Sequence, residues 1–374
     1  MKVLIACGGT AGHIFPGLAL VEELKRKVDN CQIVLVVSEH LRDRRYLKAG
    51  GSILKGVPIE RLGSIALPYK PSFKYIPFGL KLFWALLKSF VIILKYSPQV
   101  AVGFGGYASF APLVAARIRG IPILIHEQNV RPGRANKLLA GIVDKIAVSF
   151  DNIDNFFPEG KSRQKIIKTG FPLRRHILAY SADRPKQISE RFTILVLGGS
   201  QGAHRINELV LDCLKLMDEK ELRRICLLHL AGKGDFDYVK QRYKALAVVK
   251  EVFDFLEDMA GAYKMADLLI SRCGAGTIFE AAHFGLPCIL IPYAGGTKHQ
   301  KDNAAYLERR GAALSLDEKT ASCEDLKRML LELLSERKMR EGLSQRIKIL
   351  DNPQAGPKLE EQVLHLYKGR YACE

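Results

Sequence analysis

The sequence has no CxxC pair, and its eight cysteines (Cys7, Cys31, Cys213, Cys226, Cys273, Cys288, Cys323, Cys373) are scattered, most of them in or beside apolar runs. That distribution excludes a disulfide framework and reads as reduced core thiols of a cytoplasmic protein. No basic segment followed by an apolar run opens the chain, so no secretion signal is expected. Low-complexity tracts and short internal repeats are also missing, which leaves a globular protein. Neither GxGxxG with its downstream acid nor GKS/GKT occurs, which argues against a dinucleotide cofactor and against a phosphate-binding NTPase loop. Acidic residues are scarce in the first half: residues 1–170 carry 25 Lys/Arg against 11 Asp/Glu, and the remainder carries 32 against 28.

The net charge of +18 therefore sits mainly on the first half, which is suited to meeting something anionic, a nucleic acid or an anionic membrane surface. A length of 374 residues suits two domains of ordinary size.

Residues 2–6 form a short apolar run followed at once by Gly8-Gly9-Thr10-Ala11-Gly12-His13, with a helix expected from about Pro16 to Lys27. A glycine turn between strand and helix lets the backbone approach a phosphate or a sugar closely. His13, at the helix start, is a residue type that serves as general base near neutral pH. Further strands are expected at 32–37, 99–103, 121–125, 144–148 and 165–169, separated by helix-length sequence, which predicts a parallel doubly wound sheet. Two polar loops, 103–109 and His126-Glu127-Gln128-Asn129, would share the edge that carries Gly8 to His13.

Residues 73–96 read FKYIPFGLKLFWALLKSFVIILKY. Lys74, Lys81, Lys88 and Lys95 recur at intervals of seven, a slowly drifting cationic stripe on a helix, among Phe78, Leu82, Phe83, Trp84, Leu86 and Phe90. Snorkelling lysines around so much apolar surface predict insertion into the interface of an anionic bilayer, while part of the helix packs on the sheet. A full span is not expected, since Lys81 and Lys88 would lie within the hydrocarbon.

The second half repeats the architecture, with strands expected at 192–197, 225–230, 251–255, 267–271, 287–291 and 312–316. Gly198-Gly199-Ser200-Gln201-Gly202-Ala203 follows the first, in the place that Gly8 to His13 holds in the first half. Residues 266–303 read as strand, glycine turn (Cys273 to Gly276), helix from about Thr277, strand, and a loop carrying His299 and Gln300. The free amides and dipole of that helix start make an anion site, and Glu280 one turn in can accept from two adjacent hydroxyls of a ribose. Two such halves imply α/β domains facing each other across a cleft. A linker is expected near 171–191, and a short helix after Pro353 that crosses back to the first domain.

Eight ordered motifs, GGTAGHIFPGLAL, GFGGYASFAP, HEQNVRPGRANK, TGFPLR, GGSQGAHRIN, FLEDMAGAY, SRCGAGTIFE and HQKDNA, span nearly the whole chain. In them the sequence resembles the MurG family of bacterial glycosyltransferases. The resemblance implies a GT-B fold, with an acceptor- and membrane-binding domain at 1–172, a UDP-N-acetylglucosamine domain at 173–349, and 350–374 packing back on the first. It implies inverting transfer of N-acetylglucosamine to the C4 hydroxyl of the muramyl sugar of lipid I, giving lipid II at the cytoplasmic face of the inner membrane. A UDP-N-acetylglucosamine 2-epimerase, or a transferase acting on another lipid acceptor, is the alternative.

On that likeness His13 is the base and Glu280 takes the ribose hydroxyls. The backbone at Leu256 meets the uracil, and Ser200 with Ala275, Gly276 and Thr277 meets the diphosphate, where Arg174 adds charge. Gln300 touches the sugar, Thr10, Ala11, Gly12 and Asn129 close over it, and Tyr107 and Ser109 meet the acceptor's pyrophosphate. Lys74, Lys81, Phe83, Trp84 and Lys88 belong to the membrane face. No cofactor and no metal are implied. The partners expected are the two substrates, the anionic membrane surface and other cell-wall synthesis and division proteins, with no nucleic acid. Ala11, Phe110 and Phe171 depart from the family's usual residues, which leaves the acceptor tolerance open.

Overall fold

The computed structural model describes residues 1–40, 46–47, 50–63, 75–180, 191–198, 203–295 and 298–371, apart from the side chains of 75–77 and 161. The chain divides into two compact units, Met1–Arg175 with Asn352–Glu374, and His176–Asp351. Arg174, expected with the domain that begins at 173, thus falls in the first unit, whose first segment ends three residues beyond the expected 172.

The first unit holds strands β1 (Lys2–Ala6), β2 (Gln32–Ser38), β3 (Ile59–Leu62), β4 (Val100–Gly103), β5 (Ile123–Glu127), β6 (Lys145–Val148) and β7 (Ile166–Lys168). They form one parallel sheet in the order β3-β2-β1-β4-β5-β6-β7. The second unit holds β8 (Phe192–Leu197), β9 (Ile225–Leu230), β10 (Val249–Phe253), β11 (Leu268–Ser271), β12 (Cys288–Leu290) and β13 (Leu314–Ser315), parallel in the order β10-β9-β8-β11-β12-β13. The expected α/β class, two doubly wound parallel sheets, is what the structure has. Central strands such as VLIA and ILVL are buried throughout because helices cover both faces, so they read as unbroken apolar runs.

The strand order reverses direction between β1 and β4 in one sheet and between β8 and β11 in the other. In an open doubly wound sheet the loops at the carboxyl ends of those strands diverge and leave a crevice, which is where ligands bind. The glycine-rich motifs follow β1, β4, β8 and β11 directly, so sequence and topology select the same loops.

Several expectations are corrected. Strand β3 was not expected: it is partly exposed and carries Glu60 and Arg61, so it has no apolar run to read. Helix Ala11–Lys27 begins five residues earlier than Pro16, which puts Gly12 and His13 in its first turn and Pro16 inside it. His126 and Glu127 belong to β5, both buried, instead of a loop. The helix expected from Thr277 starts at Ala275. The strand expected at 251–255 lies at Val249–Phe253, and the expected linker contains a helical turn at Arg175–Leu178.

The terminal helix, Ala355–Tyr371, is 17 residues long and belongs to the first unit. Leu359 and Val363 enter the same core as Leu20 and Leu24 of the first helix. Lys27 pairs with the buried Glu360 at 3.3 Å. The return point is fixed at Gly170, whose φ of +89° suits glycine; a Cβ there would come within 2.8 Å of Asn352 Nδ2, which donates to the Thr169 carbonyl at 3.0 Å.

Candidate active site

In the first unit the turn after β1 and the turn after β4 enclose His13. Its Nδ1 lies 3.1 Å from the Gly8 carbonyl oxygen and 3.1 Å from Thr10 Oγ1. A carbonyl only accepts, so Nδ1 carries the proton in that bond and the neutral ring keeps its lone pair on Nε2. Gly105 and Gly106 have φ of +84° and +71°. A Cβ on Gly106 would meet the Gly8 oxygen at 2.9 Å and His13 Nδ1 at 3.3 Å, and one on Gly105 would meet Nε2 at 3.4 Å. The two glycines are therefore what lets the imidazole lie between the loops. Thr10 stands at the N-cap in extended backbone, followed by Ala11 and Gly12 as the first helical residues. Tyr107 opens helix Tyr107–Ile118, and buried Ser109 donates its hydroxyl to the Gly106 carbonyl at 2.9 Å, locking the second loop.

The end of β5 supports that loop from below. Glu127 Oε1 accepts from the Asn129 amide at 2.9 Å and from Asn129 Nδ2 at 3.2 Å. Oε2 accepts from the Gly133 amide at 2.9 Å and Asn136 Nδ2 at 2.8 Å. Four N–H donors satisfy a carboxylate that burial would otherwise penalise. His126 donates from Nε2 to the Gly170 carbonyl at 3.0 Å and accepts from Gln128 at 3.2 Å; burial holds its pKa down at about 4. Gln128 also donates to the Phe104 carbonyl, beside the glycine pair. His126 to Asn129 was expected as a polar loop at this edge, with a contact role given to Asn129 alone. The polar run from 126 to 129 was the signal for Glu127 and Gln128, while Asn136 gave none. Arg174 lies flat on Phe15, guanidinium carbon to ring centre 3.8 Å, inside the first unit.

In the second unit the turn after β11 leads into helix Ala275–His283, with Gly274 at the N-cap and no capping side chain. Ala275, Gly276 and Thr277 supply the first-turn amides. Glu280 accepts from the Tyr263 hydroxyl at 3.0 Å. Leu256 lies in the loop between β10 and helix Met259–Met265, which carries Tyr263. Gln300 Oε1 accepts from the Tyr293 amide at 2.9 Å, and buried Asn303 donates to the Cys273 carbonyl at 3.1 Å. Arg272 donates to the Ile291 carbonyl at 3.1 Å and pairs with Glu318, which also accepts from the Ala294 amide. Tyr263, Arg272, Asn303 and Glu318 were missed because each works by holding another residue. Ser200 and Lys74 lie outside the described residues.

The helices that start after β1, β4, β8 and β11 share one trait. None has a capping side chain at its N-cap or an acid in its first turn. Elsewhere the chain caps readily: Asp218 and Ser322 close capping boxes and Asp258 accepts from the Gly261 amide. Helix starts that carry no side-chain cap and no first-turn acid are places where anionic groups bind favourably. Among the described residues no group of three or more His, Cys, Asp or Glu is placed to hold a metal ion.

Away from these loops, helix Tyr75–Tyr96 buries Ala85, Ser89, Ile92 and Ile93 and packs with Phe78, Leu82 and Leu86 against Tyr107 and Ala111. Its outer face shows Leu80, Phe83, Trp84, Leu87, Val91 and Leu94, each 41–66% exposed, with Lys81 and Lys88 beside them. Lys95 and Tyr96 donate to Glu60 at 2.9 and 2.7 Å, anchoring the helix end and holding the Glu60 carboxyl below its usual range. None of the described helices is long and apolar enough to cross a membrane.

The family models of the glycosyltransferase family 28 N-terminal and C-terminal domains match residues 3–148 and 193–367. A UDP-N-acetylglucosamine–N-acetylmuramyl-(pentapeptide) pyrophosphoryl-undecaprenol N-acetylglucosamine transferase of Thermodesulfovibrio yellowstonii is 34% identical over 96% of this chain and 97% of its own. A protein of the same description from Geobacter metallireducens is 38% identical over 90% of each chain. The crystal structure of Acinetobacter baumannii MurG superposes with a TM-score of 0.75 at 26% identity, covering 97% of this chain and 99% of that one. With its two parallel sheets, its paired glycine loops and these matches, the chain belongs to glycosyltransferase family 28 and, within it, to the MurG family.

Proposed function

We infer that this protein transfers N-acetylglucosamine from UDP-N-acetylglucosamine to undecaprenyl-pyrophosphoryl-N-acetylmuramyl-pentapeptide, making lipid II from lipid I for peptidoglycan synthesis. The observation that carries the reading is identity of 34% and 38%, over at least nine-tenths of the chain, with transferases of that description. The epimerase reading shares the donor but gives no use to the exposed apolar helix.

In the reaction the C4 oxygen of the acceptor attacks the anomeric carbon as its bond to the diphosphate oxygen breaks, which inverts the centre and releases UDP. The hydroxyl proton passes to His13 Nε2, the ring nitrogen that the Gly8 contact leaves with the lone pair. First-turn amides of helix Ala275–His283 stabilise the charge gathering on the departing diphosphate, and Glu280 takes the ribose hydroxyls. Leu256 serves the uracil, Gln300 and Asn129 the sugar, and Tyr107 with the amide-rich start of its helix the acceptor's pyrophosphate. The exposed face of helix Tyr75–Tyr96 lies in the interface of an anionic bilayer on its cytoplasmic side, Trp84 and Phe83 inserted and Lys81 and Lys88 on the headgroups.

The test is transfer of labelled N-acetylglucosamine from its UDP donor to a lipid I analogue, with a diacylglycerol acceptor and no acceptor run alongside. Product from the lipid I analogue alone is expected. Product from diacylglycerol, or epimerised sugar without acceptor, would replace this reading with the corresponding alternative.

A further inference from the structure

We propose that Tyr263 is a positioning residue for donor recognition, holding the Glu280 carboxylate in the one orientation that serves a ribose diol. This rests on the reading that Glu280 receives the ribose hydroxyls. Tyr263 is 1% exposed, and its ring stacks on Phe284 with centres 5.7 Å apart and planes 16° from parallel. A phenol placed so deeply needs a partner, and its hydroxyl donates to Glu280 Oε2 at 3.0 Å. Glu280 itself is half-buried in the second turn of its helix. A glutamate there has three side-chain torsions to order, and the bond to a rigid ring orders them before any ligand arrives. A carboxylate also has more acceptor sites than one donor fills, so a diol can bind while the tyrosine stays bonded.

The helix that carries Tyr263 gives the arrangement a second consequence. Asp258 accepts from the Gly261 amide at 2.9 Å and fixes where helix Met259–Met265 begins, three residues after Leu256. The loop proposed for the uracil and the clamp on the residue proposed for the ribose are thus ends of one short rigid element. Base and sugar of the nucleoside would be read at a spacing set by the fold.

The experiment compares the full-length protein with Tyr263→Phe, Glu280→Gln and the double variant, using UDP-N-acetylglucosamine and its 2′-deoxyribose analogue as donors. Tyr263→Phe keeps the ring stack, and its thermal unfolding checks that the fold is retained. It is expected to raise the KM for the natural donor about tenfold, the size of one lost charge-assisted hydrogen bond. The preference for the natural donor over the deoxy analogue should shrink by a similar factor, with kcat changed far less. The double variant should match Glu280→Gln alone, because the tyrosine acts only through the carboxylate. If Tyr263→Phe leaves KM and donor preference at the parent values while Glu280→Gln alters both, the positioning role is wrong and the Glu280 reading stands. If Glu280→Gln changes neither, the ribose assignment itself falls. Effects that add in the double variant would overturn the proposal by showing that Tyr263 acts on the donor independently.

Discussion

The two sheets reverse strand order at equivalent places, β1/β4 and β8/β11, yet their crevice loops hold different chemistry. In the first unit two left-handed glycines make room for an imidazole, whose tautomer a backbone carbonyl sets. In the second, uncapped amides stand beside a carboxylate that a buried phenol orients. In the proposed reaction the first loop presents the group that takes a proton, and the second presents fixed dipoles and acceptors for a charged, hydroxylated ligand. The comparison teaches that a doubly wound sheet supplies position only, and that the residues of the first helical turn decide what is done there.

The sharpest way to break this contrast is His13→Ala. Turnover is expected to fall by about 10²–10⁴, the worth of a general base, while affinity for UDP-N-acetylglucosamine, measured by calorimetry, stays near the parent value. Nearly full turnover in a folded variant would remove proton transfer from the first unit.

Glu280→Ala is the converse test. A loss of about 2–3 kcal/mol is expected in kcat/KM for the donor, carried by KM, since hydrogen bonds to a charged acceptor are of that size. A loss carried by kcat alone would make Glu280 part of the chemistry and blur the division between the units.

Both units also bury a neutral histidine, which gives a parallel test by pH. Burial holds His126 of the first unit at about 4 and His229 of the second at about 3. Unfolded, each ring titrates near 6.5, so the unfolded chain gains protons first on acidification. Stability is therefore full above about 6.5, and it falls through pH 4 for His126 and pH 3 for His229. Each histidine is expected to cost about 2 kcal/mol between pH 7 and 5. His126→Gln and His229→Gln, followed by urea unfolding across that range, should each flatten the slope of their own unit.

The smallest effects concern the outer face of the first unit. Lys81→Ala and Lys88→Ala should each weaken binding to vesicles containing anionic lipid by about 1 kcal/mol, and Trp84→Ala should weaken it at high salt too. Unchanged binding in all three would leave the exposed helix face for another partner. The same substitution at an exposed lysine of the second unit, such as Lys338, should have no effect.

Much of the fold is legible because buried parallel strands are unbroken apolar runs: β1, β2, β8 and β9 each coincide with such a run to within a residue. β3 is not legible, since an edge strand bearing Glu60 and Arg61 looks like a loop. Of the site, glycine turns and the residues beside them were visible. The roles of Asn136, Asn303 and Tyr263 were not, because their work is to hold other residues across gaps of up to thirty positions that only folding closes.

By itself the sequence determined the two sheets, the four glycine loops, the basic first half and the residues that meet solvent at those loops, because periodicity and turn chemistry are local. The tertiary structure alone decided that His13 stands in the first turn of its helix with Nε2 carrying the lone pair. It also decided that Glu280 is held by Tyr263, and that the last helix joins the first unit. Those are matters of direction and long-range packing, and a side chain's direction is set by neighbours distant in the chain.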